Sequence, residues 1–497
     1  MNSCTSCRQR KRKCDRSRPS CGSCVQSLRT CTYEEDGPRQ QPHPETAPRE
    51  LSQASALLPA GQVFASPFSR VDPFRHDSLR RPTVEVIVHG ELLKVLSSFD
   101  NVAAMTRNYF DSIHHRITVI SKHRFLDRLP SLSSRRNAED MALCLCMHLL
   151  QEEPTPETES MQSSLYINVK GIMSLLTSSG FQSLPVVQAL VLVAFFEIGH
   201  AIYPACSLSI SMCAKLARRQ SIHKEPKEAL DSEASRIEHE ERKRVWWAIM
   251  SLERFINLCD GDAVFGTEDP NLSMTLPVED SNWARNIVPL THNATLATPS
   301  SVTLGQFARE CQVSHLAGRV VRHVFDPTSD RDFQNDEAQQ LERTLKAFMP
   351  ILIAEEMQFS KYCCAIGICS SALFTLYHFA SPQSQDAEAE LSRKLAAMEP
   401  LSNQTAELTL KLYHSAEVID YDTLSPLATY CMYQSAVVQY KLWKKTGRNE
   451  YQENLAGLKR VLSWFRQRWF VAETYLQALE AEWPEMILPT PGFCISG

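Results

Sequence analysis

A chain of 497 residues, 43% hydrophobic and 22% charged, is long enough for a large buried core and too long to be a mere tail. Its formal net charge is −5, and the part beyond residue 33, at net −12, has no general affinity for DNA, so any cationic function has to be local. Of its 17 cysteines, 11 are scattered through the chain, mostly beside apolar neighbours, and Met1-Asn2-Ser3-Cys4 offers no apolar stretch for a secretory signal; both point to a reducing compartment.

The other six cysteines, Cys4, Cys7, Cys14, Cys21, Cys24 and Cys31, fall in the spacing C-x2-C-x6-C-x6-C-x2-C-x6-C. The second three repeat the first three at an offset of 17, so the segment is a three-cysteine unit used twice. Structural zinc takes four ligands in a tetrahedron. Two ions need eight ligand positions, six sulfurs must fill them, and two sulfurs therefore bridge, at equivalent places in the two units. A disulfide knot would also use six cysteines but suits a secreted chain, and a metal buffer would not share its segment with so many cations.

This spacing resembles the fungal binuclear zinc cluster transcription factors of the galactose-regulator type, and Pro19, two residues before the fourth cysteine, fits that pattern. The resemblance implies two Zn2+ ions, with Cys4 and Cys21 bridging. One ion would take Cys4, Cys7, Cys14 and Cys21, and the other Cys4, Cys21, Cys24 and Cys31.

Residues 1–33 carry eight basic side chains against one acid, Asp15, and seven of the eight precede Pro19. Six thiolates and two zinc ions change the count from +7 to about +5, so the module stays cationic. The first unit is expected to face double-stranded DNA while the second supports it. A short helix is expected over Arg8 to Lys13, pinned by metal ligands because it is too short to stand alone. Lys or Arg in a major groove can donate to guanine O6 and N7. By resemblance Lys11 reads the base, with Arg10 beside it, on a CGG triplet, and Arg8, Lys13 and Arg16 contact phosphate. A nuclear-localisation role for the same run is compatible with this.

From Glu34 to Thr83 eight prolines fall in 50 residues, which predicts an extended linker. Many relatives place a coiled coil here, but Glu34-Glu35-Asp36-Gly37-Pro38 has no apolar heptad. The helical domain is then the route left for a homodimer.

Residues 34–497 hold 44 basic and 56 acidic side chains, a net −12. Glycine is scarce, at 16 in all 497 residues, and the apolar pattern is helical: Leu341, Leu345 and Phe348 share one face, as do Leu458, Val461, Leu462 and Phe465. Val186 to Ile198 is the most apolar stretch. Gln188 and Glu197 interrupt it, and it is shorter than the roughly 20 residues needed to span a bilayer, so a buried core helix is expected and no membrane partner.

Several segments resemble the regulatory middle domain of the same family, over roughly residues 85–290. They are Tyr109-Phe110 through Leu129, Ala214 to Arg218 with Ile222-His223, Glu240 to Trp247, Leu252-Glu253-Arg254, and Asp269 to Leu276-Pro277. Where many relatives have Gly-Arg-Pro this chain has Asp260-Gly261-Asp262. Arg242, Lys243 and Arg244 beside Trp246-Trp247 read as a helix with a charged and a packed aromatic face rather than a nucleic-acid stack. His114, His115 and His123 read as ordinary histidines. From Leu304 onward the chain is helical by pattern only. Glu473, Glu480, Glu482 and Glu485 among Tyr475, Leu476, Leu479, Trp483 and Met486 could engage coactivators or form a last packed helix.

No nucleophile elbow, phosphate loop, dinucleotide fingerprint or His-Glu-x-x-His motif occurs, so no enzyme is expected. The expected architecture is a small zinc-nucleated binuclear cluster module with two short helices (residues 1–33), a Pro-rich flexible linker (34–84) and a large all-α regulatory domain (85–497). The resemblance implies a nuclear, sequence-specific RNA polymerase II transcription regulator that works with the transcription machinery or coactivators on a metabolic or biosynthetic gene set. The competing reading is a zinc-stabilised nuclear scaffold tethered non-specifically to DNA.

Overall fold

The computed structural model describes residues 7, 13–17, 20–26 and 31, then residues 98–482 apart from 136, 227–231, 292, 360–363, 381–384 and 416–420. The expected linker, 34–84, lies outside the described residues. The chain divides into two units, Met1–Asp72 and Pro73–Gly497. In the first, one short helix is described, Gly22–Gln26 (α1).

The second unit is helical, and among the described residues its only β pairing is a single antiparallel bridge between Thr275 and Thr295. Its first half runs Phe99–Asp111 (α2), Lys122–Arg135 (α3), Ala138–Leu149 (α4), Ser164–Ser178 (α5), Leu184–Gly199 (α6), Ala205–Arg219 (α7) and Glu233–Asp260 (α8). Then follow Asp280–Ala284 (α9), Gln306–Phe325 (α10), Arg331–Phe359 (α11), Cys364–His378 (α12), Ala387–Ser415 (α13), Thr429–Thr446 (α14), Asn449–Phe465 (α15) and Val471–Glu482 (α16).

The helix starts follow capping chemistry. Ser98, Asn137, Ser163 and Ser232 each stand in extended backbone, and each side chain accepts a hydrogen bond from a first-turn N–H. Gly261 ends α8 in the left-handed conformation at φ 75°, its N–H donating to the Asn257 carbonyl. The glycine in Asp260-Gly261-Asp262 is thus a helix stop.

α6 is the central element. Every residue from Val186 to Gly199 is buried, and the helix packs against α4, α7 and α8. Burying such large aliphatic and aromatic side chains contributes about 1.5–3 kcal/mol each. The two polar interruptions find partners: Gln188 Nε2 donates to the Val119 carbonyl at 2.8 Å and to Glu241 at 3.0 Å, and Glu197 Oε1 accepts from Tyr166 Oη and Lys170 Nζ, both at 2.8 Å, while its Oε2 is buried without a partner. No described helix is long and apolar enough to cross a membrane. At the C-terminal end of α6 the Trp469 indole lies on Gly199, where a Cβ would come within 2.3 Å of the ring, and Trp469 Nε1 donates to the Leu424 carbonyl at 2.8 Å.

α8 pairs with α10, α10 with α12, and α13, α14 and α15 pack together with α16 on α14 and α15. Leu341, Leu345, Leu458, Val461, Leu462 and Phe465 are all buried, as their spacing required.

The block Glu240 to Trp247 departs from the expected two-faced helix. Trp246 and Trp247 are buried, but so are Glu240, Glu241 and Arg244, because distant segments supply partners for them. Arg244 is paired with Glu240 at 3.0 Å, donates to Thr118 Oγ1 and the Val278 carbonyl, and stacks on Trp283 at 4.8 Å. Glu241 accepts from the Ser121 N–H at 2.8 Å and from Arg124. Arg254, paired with Glu253 at 2.7 Å and with Thr267 and Asp269, stacks on Phe265 at 3.9 Å. A buried charge is tolerated only when paired and hydrogen-bonded in this way. α16 turns Val471, Ala472 and Leu479 into the core and pairs Glu473 with Arg466 and Glu480 with Lys459. Trp483, Glu485 and Met486 lie outside the described residues.

Candidate metal centre and nucleic-acid interface

Five of the six clustered cysteines are described, and their thiols converge. The Sγ atoms of Cys7, Cys14 and Cys21 all lie within 4.8 Å of one another, and so do those of Cys21, Cys24 and Cys31. Among the described residues Cys21 is the one thiol common to both groups. Cys7 Sγ and Cys21 Sγ are 3.7 Å apart, which is the edge, about 3.8 Å, of a tetrahedron of sulfurs around zinc at 2.3 Å. Cys7, Cys21 and Cys24 are buried although the described residues of the module form no other apolar core, so the metal takes the place of one. Cys4 lies outside the described residues.

The local backbone explains the convergence. The Cys21 carbonyl accepts from the N–H groups of Cys24 and Val25, both at 3.0 Å, which opens α1 and brings Cys24 back beside Cys21. The Cys21 N–H donates to Cys31 Sγ at 3.2 Å, which holds that sulfur beside Cys21. Asp15 joins the two units: its carboxylate accepts from the Gly22 N–H at 2.9 Å and from the Ser17 N–H at 3.3 Å. The bond from Gly22, more than any other cause, holds this carboxyl below its usual pKa. A Cβ at position 22 would stand 2.8 Å from the Asp15 oxygen, so the second unit carries glycine there, where the first has Thr5. In the sequence Asp15 stands out as the lone acid among eight bases, but nothing there gives it or Gly22 this role.

Lys13 and Arg16, on either side of Cys14, are exposed, and Arg16 has left-handed backbone at φ 61°. Cys7 is helical and Lys13 is not, so the helix expected over Arg8 to Lys13 does not include Lys13. Arg8, Arg10 and Lys11 lie outside the described residues. In the second unit α1 exposes Val25 and Gln26 and carries no cation.

The histidines form no competing centre. His114 is packed edge-on against Tyr109 and Phe110, and burial pushes its pKa down to about 3. Among the described residues, only the cysteine groups bring three possible metal ligands together.

Residues 2–40 match the family described as the fungal Zn(2)-Cys(6) binuclear cluster domain, and residues 106–349 match the fungal specific transcription factor domain. The second match runs well past Leu304, where the sequence showed only helical pattern. Among similar proteins, the transcription factor BOA15 of Botryotinia fuckeliana is 33% identical over 169 residues, which are 34% of this chain and 92% of that protein. The citrinin biosynthesis transcriptional activators mrl3 of Monascus ruber and ctnR of Monascus purpureus are each 25% identical over 307 residues, 51% of this chain. The chain spans 59% of the length of the first and 52% of the second.

Proposed function

Because the chain belongs to the fungal Zn(2)-Cys(6) transcription factors, whose cluster holds two zinc ions, we propose that it reads CGG triplets in nuclear DNA and regulates RNA polymerase II transcription. Cys4 and Cys21 bridge the ions. Lys11 reads the triplet with Arg10 beside it, and Arg8, Lys13 and Arg16 hold the phosphates. The observation that carries this reading is Cys21, a thiol common to both groups, in a module whose exposed cations Lys13 and Arg16 flank Cys14.

Binding is confined to residues 1–33, because the remaining net charge of −12 repels DNA. Residues 34–84 act as the linker, and the helical domain from residue 85 regulates, engages the transcription machinery or coactivators and provides for a homodimer. The names of the citrinin activators favour a biosynthetic gene set as target. Selection from random duplexes by the zinc-loaded full chain tests the reading: CGG should be enriched, and recovery of unrelated sequences would leave a non-specific tether.

A further inference from the structure

α5 presents an outer face with no charge on it. Its exposed residues are Ser164, Ile167, Gly171, Ser174, Leu175 and Ser178. The one charged residue of the helix, Lys170, is spent on Glu197 and Ser209, each at 2.8 Å. Ile167 is 62% exposed and Leu175 49%. The Lys170–Ser209 bond spans to α7, which adds Leu208 at 71% and Met212 at 45%. Exposed apolar side chains gathered on an uncharged helix face in this way mark an interaction site.

The face is also symmetric in sequence about Gly171. Ile167 and Leu175 lie four residues before and after it, and Ser164 and Ser178 seven before and after. A Cβ at 171 would meet nothing within 4 Å, so the centre is open to a close approach. Isologous two-fold pairing requires a self-complementary patch. A two-fold axis through Gly171, perpendicular to α5, sets glycine on glycine, Ile167 on the second copy's Leu175 and serine on serine.

Charge agrees at the ends. Glu157 and Glu159 are exposed just ahead of α5, and Arg219, exposed, is held at its far end by Gln182 at 3.1 Å. Antiparallel pairing brings the acids of one copy to the arginine of the other. Elsewhere two bodies of net −12 repel, so an uncharged face is where they can meet.

We propose that the chain forms a two-fold homodimer through α5, crossing at Gly171, with Leu208 and Met212 of α7 at its flank. This names the interface of the dimerisation included in the functional reading above. Sedimentation of the zinc-loaded full chain without DNA should give twice its 56.2 kDa mass. Gly171→Glu puts two like charges on the axis, has room in the monomer and should leave the helical circular dichroism unchanged while giving single chains. Ile167→Lys should weaken the dimer by about tenfold or more, and adding Leu175→Glu should restore it by pairing opposite charges across the axis. A wild-type chain that stays monomeric at micromolar concentration, a dimer untouched by Gly171→Glu, or a double variant weaker than Ile167→Lys alone overturns the proposal. Gly171→Glu should still bind a one-triplet duplex like the wild type, so failure of the DNA reading and failure of the dimer are separately visible.

Discussion

The Asp15 carboxylate accepts the Gly22 backbone N–H at 2.9 Å, so the loop after the first unit's last cysteine is fastened to the first turn of the second unit's helix. The bond holds Cys14 and Cys21 in reach of one ion while Cys21 also serves the other group. Gly22→Ala, which would drive a Cβ to 2.8 Å from that oxygen, should lose zinc to a chelator faster than the wild type. Asp15→Ala should do likewise and Asp15→Asn less, since the amide keeps one acceptor. Equal zinc retention in all three variants would show that the metal ligands alone set the geometry.

Elemental analysis of the purified chain should return two zinc ions. Cys4→Ala or Cys21→Ala should be the most damaging single changes, because each removes a ligand from both ions, whereas Cys7→Ala removes one. Loss of about 10-fold or more in zinc affinity for the bridging positions relative to Cys7 is the expected gap. Cys7→Ala as severe as Cys21→Ala would contradict the bridging assignment.

Gly199→Ala should destabilise the helical domain by about 1–3 kcal/mol, the usual cost of forcing a methyl group into a packed core. The cause is the Trp469 ring, which a Cβ would approach to 2.3 Å. Trp469→Leu in the same background should recover part of the loss. Thermal or urea unfolding reads both, and additive losses would mean that the two residues are not in register.

Acid should destabilise the same domain. His200 is buried, accepts the Phe470 N–H at Nδ1 (3.3 Å), and is held well below its ordinary pKa by burial and then by Arg468. Burial likewise lowers His114 to about 3 and His315 to about 4. The unfolded chain binds protons at these positions below its pKa of about 6.5 and the folded one does not, so stability falls as pH drops through 6.5. Glu310, raised by burial to about 7, acts oppositely between 4.5 and 7 but is one group against three. The melting temperature should therefore decrease from pH 7 to pH 5, and His200→Asn, which keeps an acceptor without the titration, should flatten the slope. A flat profile in the wild type contradicts this.

What the sequence made legible was what is local or periodic. The cysteine spacing announced the metal centre, the run Val186–Ile198 announced the central helix, and the faces at Leu341 and Leu458 announced theirs. The buried ion pairs were not legible. Nothing near Arg244 in sequence says that Thr118, Val278 and Asp280 will surround it, so its block read as one solvated and one packed face. The role of Asp15 was hidden for the same reason: its partner is a backbone N–H seven residues on, which no side-chain pattern records. The α5 face escaped because its exposed isoleucine and leucine look, in a linear reading, like one more core stripe.

On the proposed DNA surface one side chain, Lys11, reads base sequence while its neighbours hold the backbone. Binding of the zinc-loaded full chain to a CGG duplex and to a scrambled duplex, with Lys11→Ala compared against Lys13→Ala, tests it most directly. Lys11→Ala should cost about 1–3 kcal/mol on CGG and much less on the scrambled duplex. Lys13→Ala should weaken both alike and reduce the salt slope by about one. Equal losses on both duplexes for Lys11→Ala would contradict the account and leave a zinc-stabilised tether in its place.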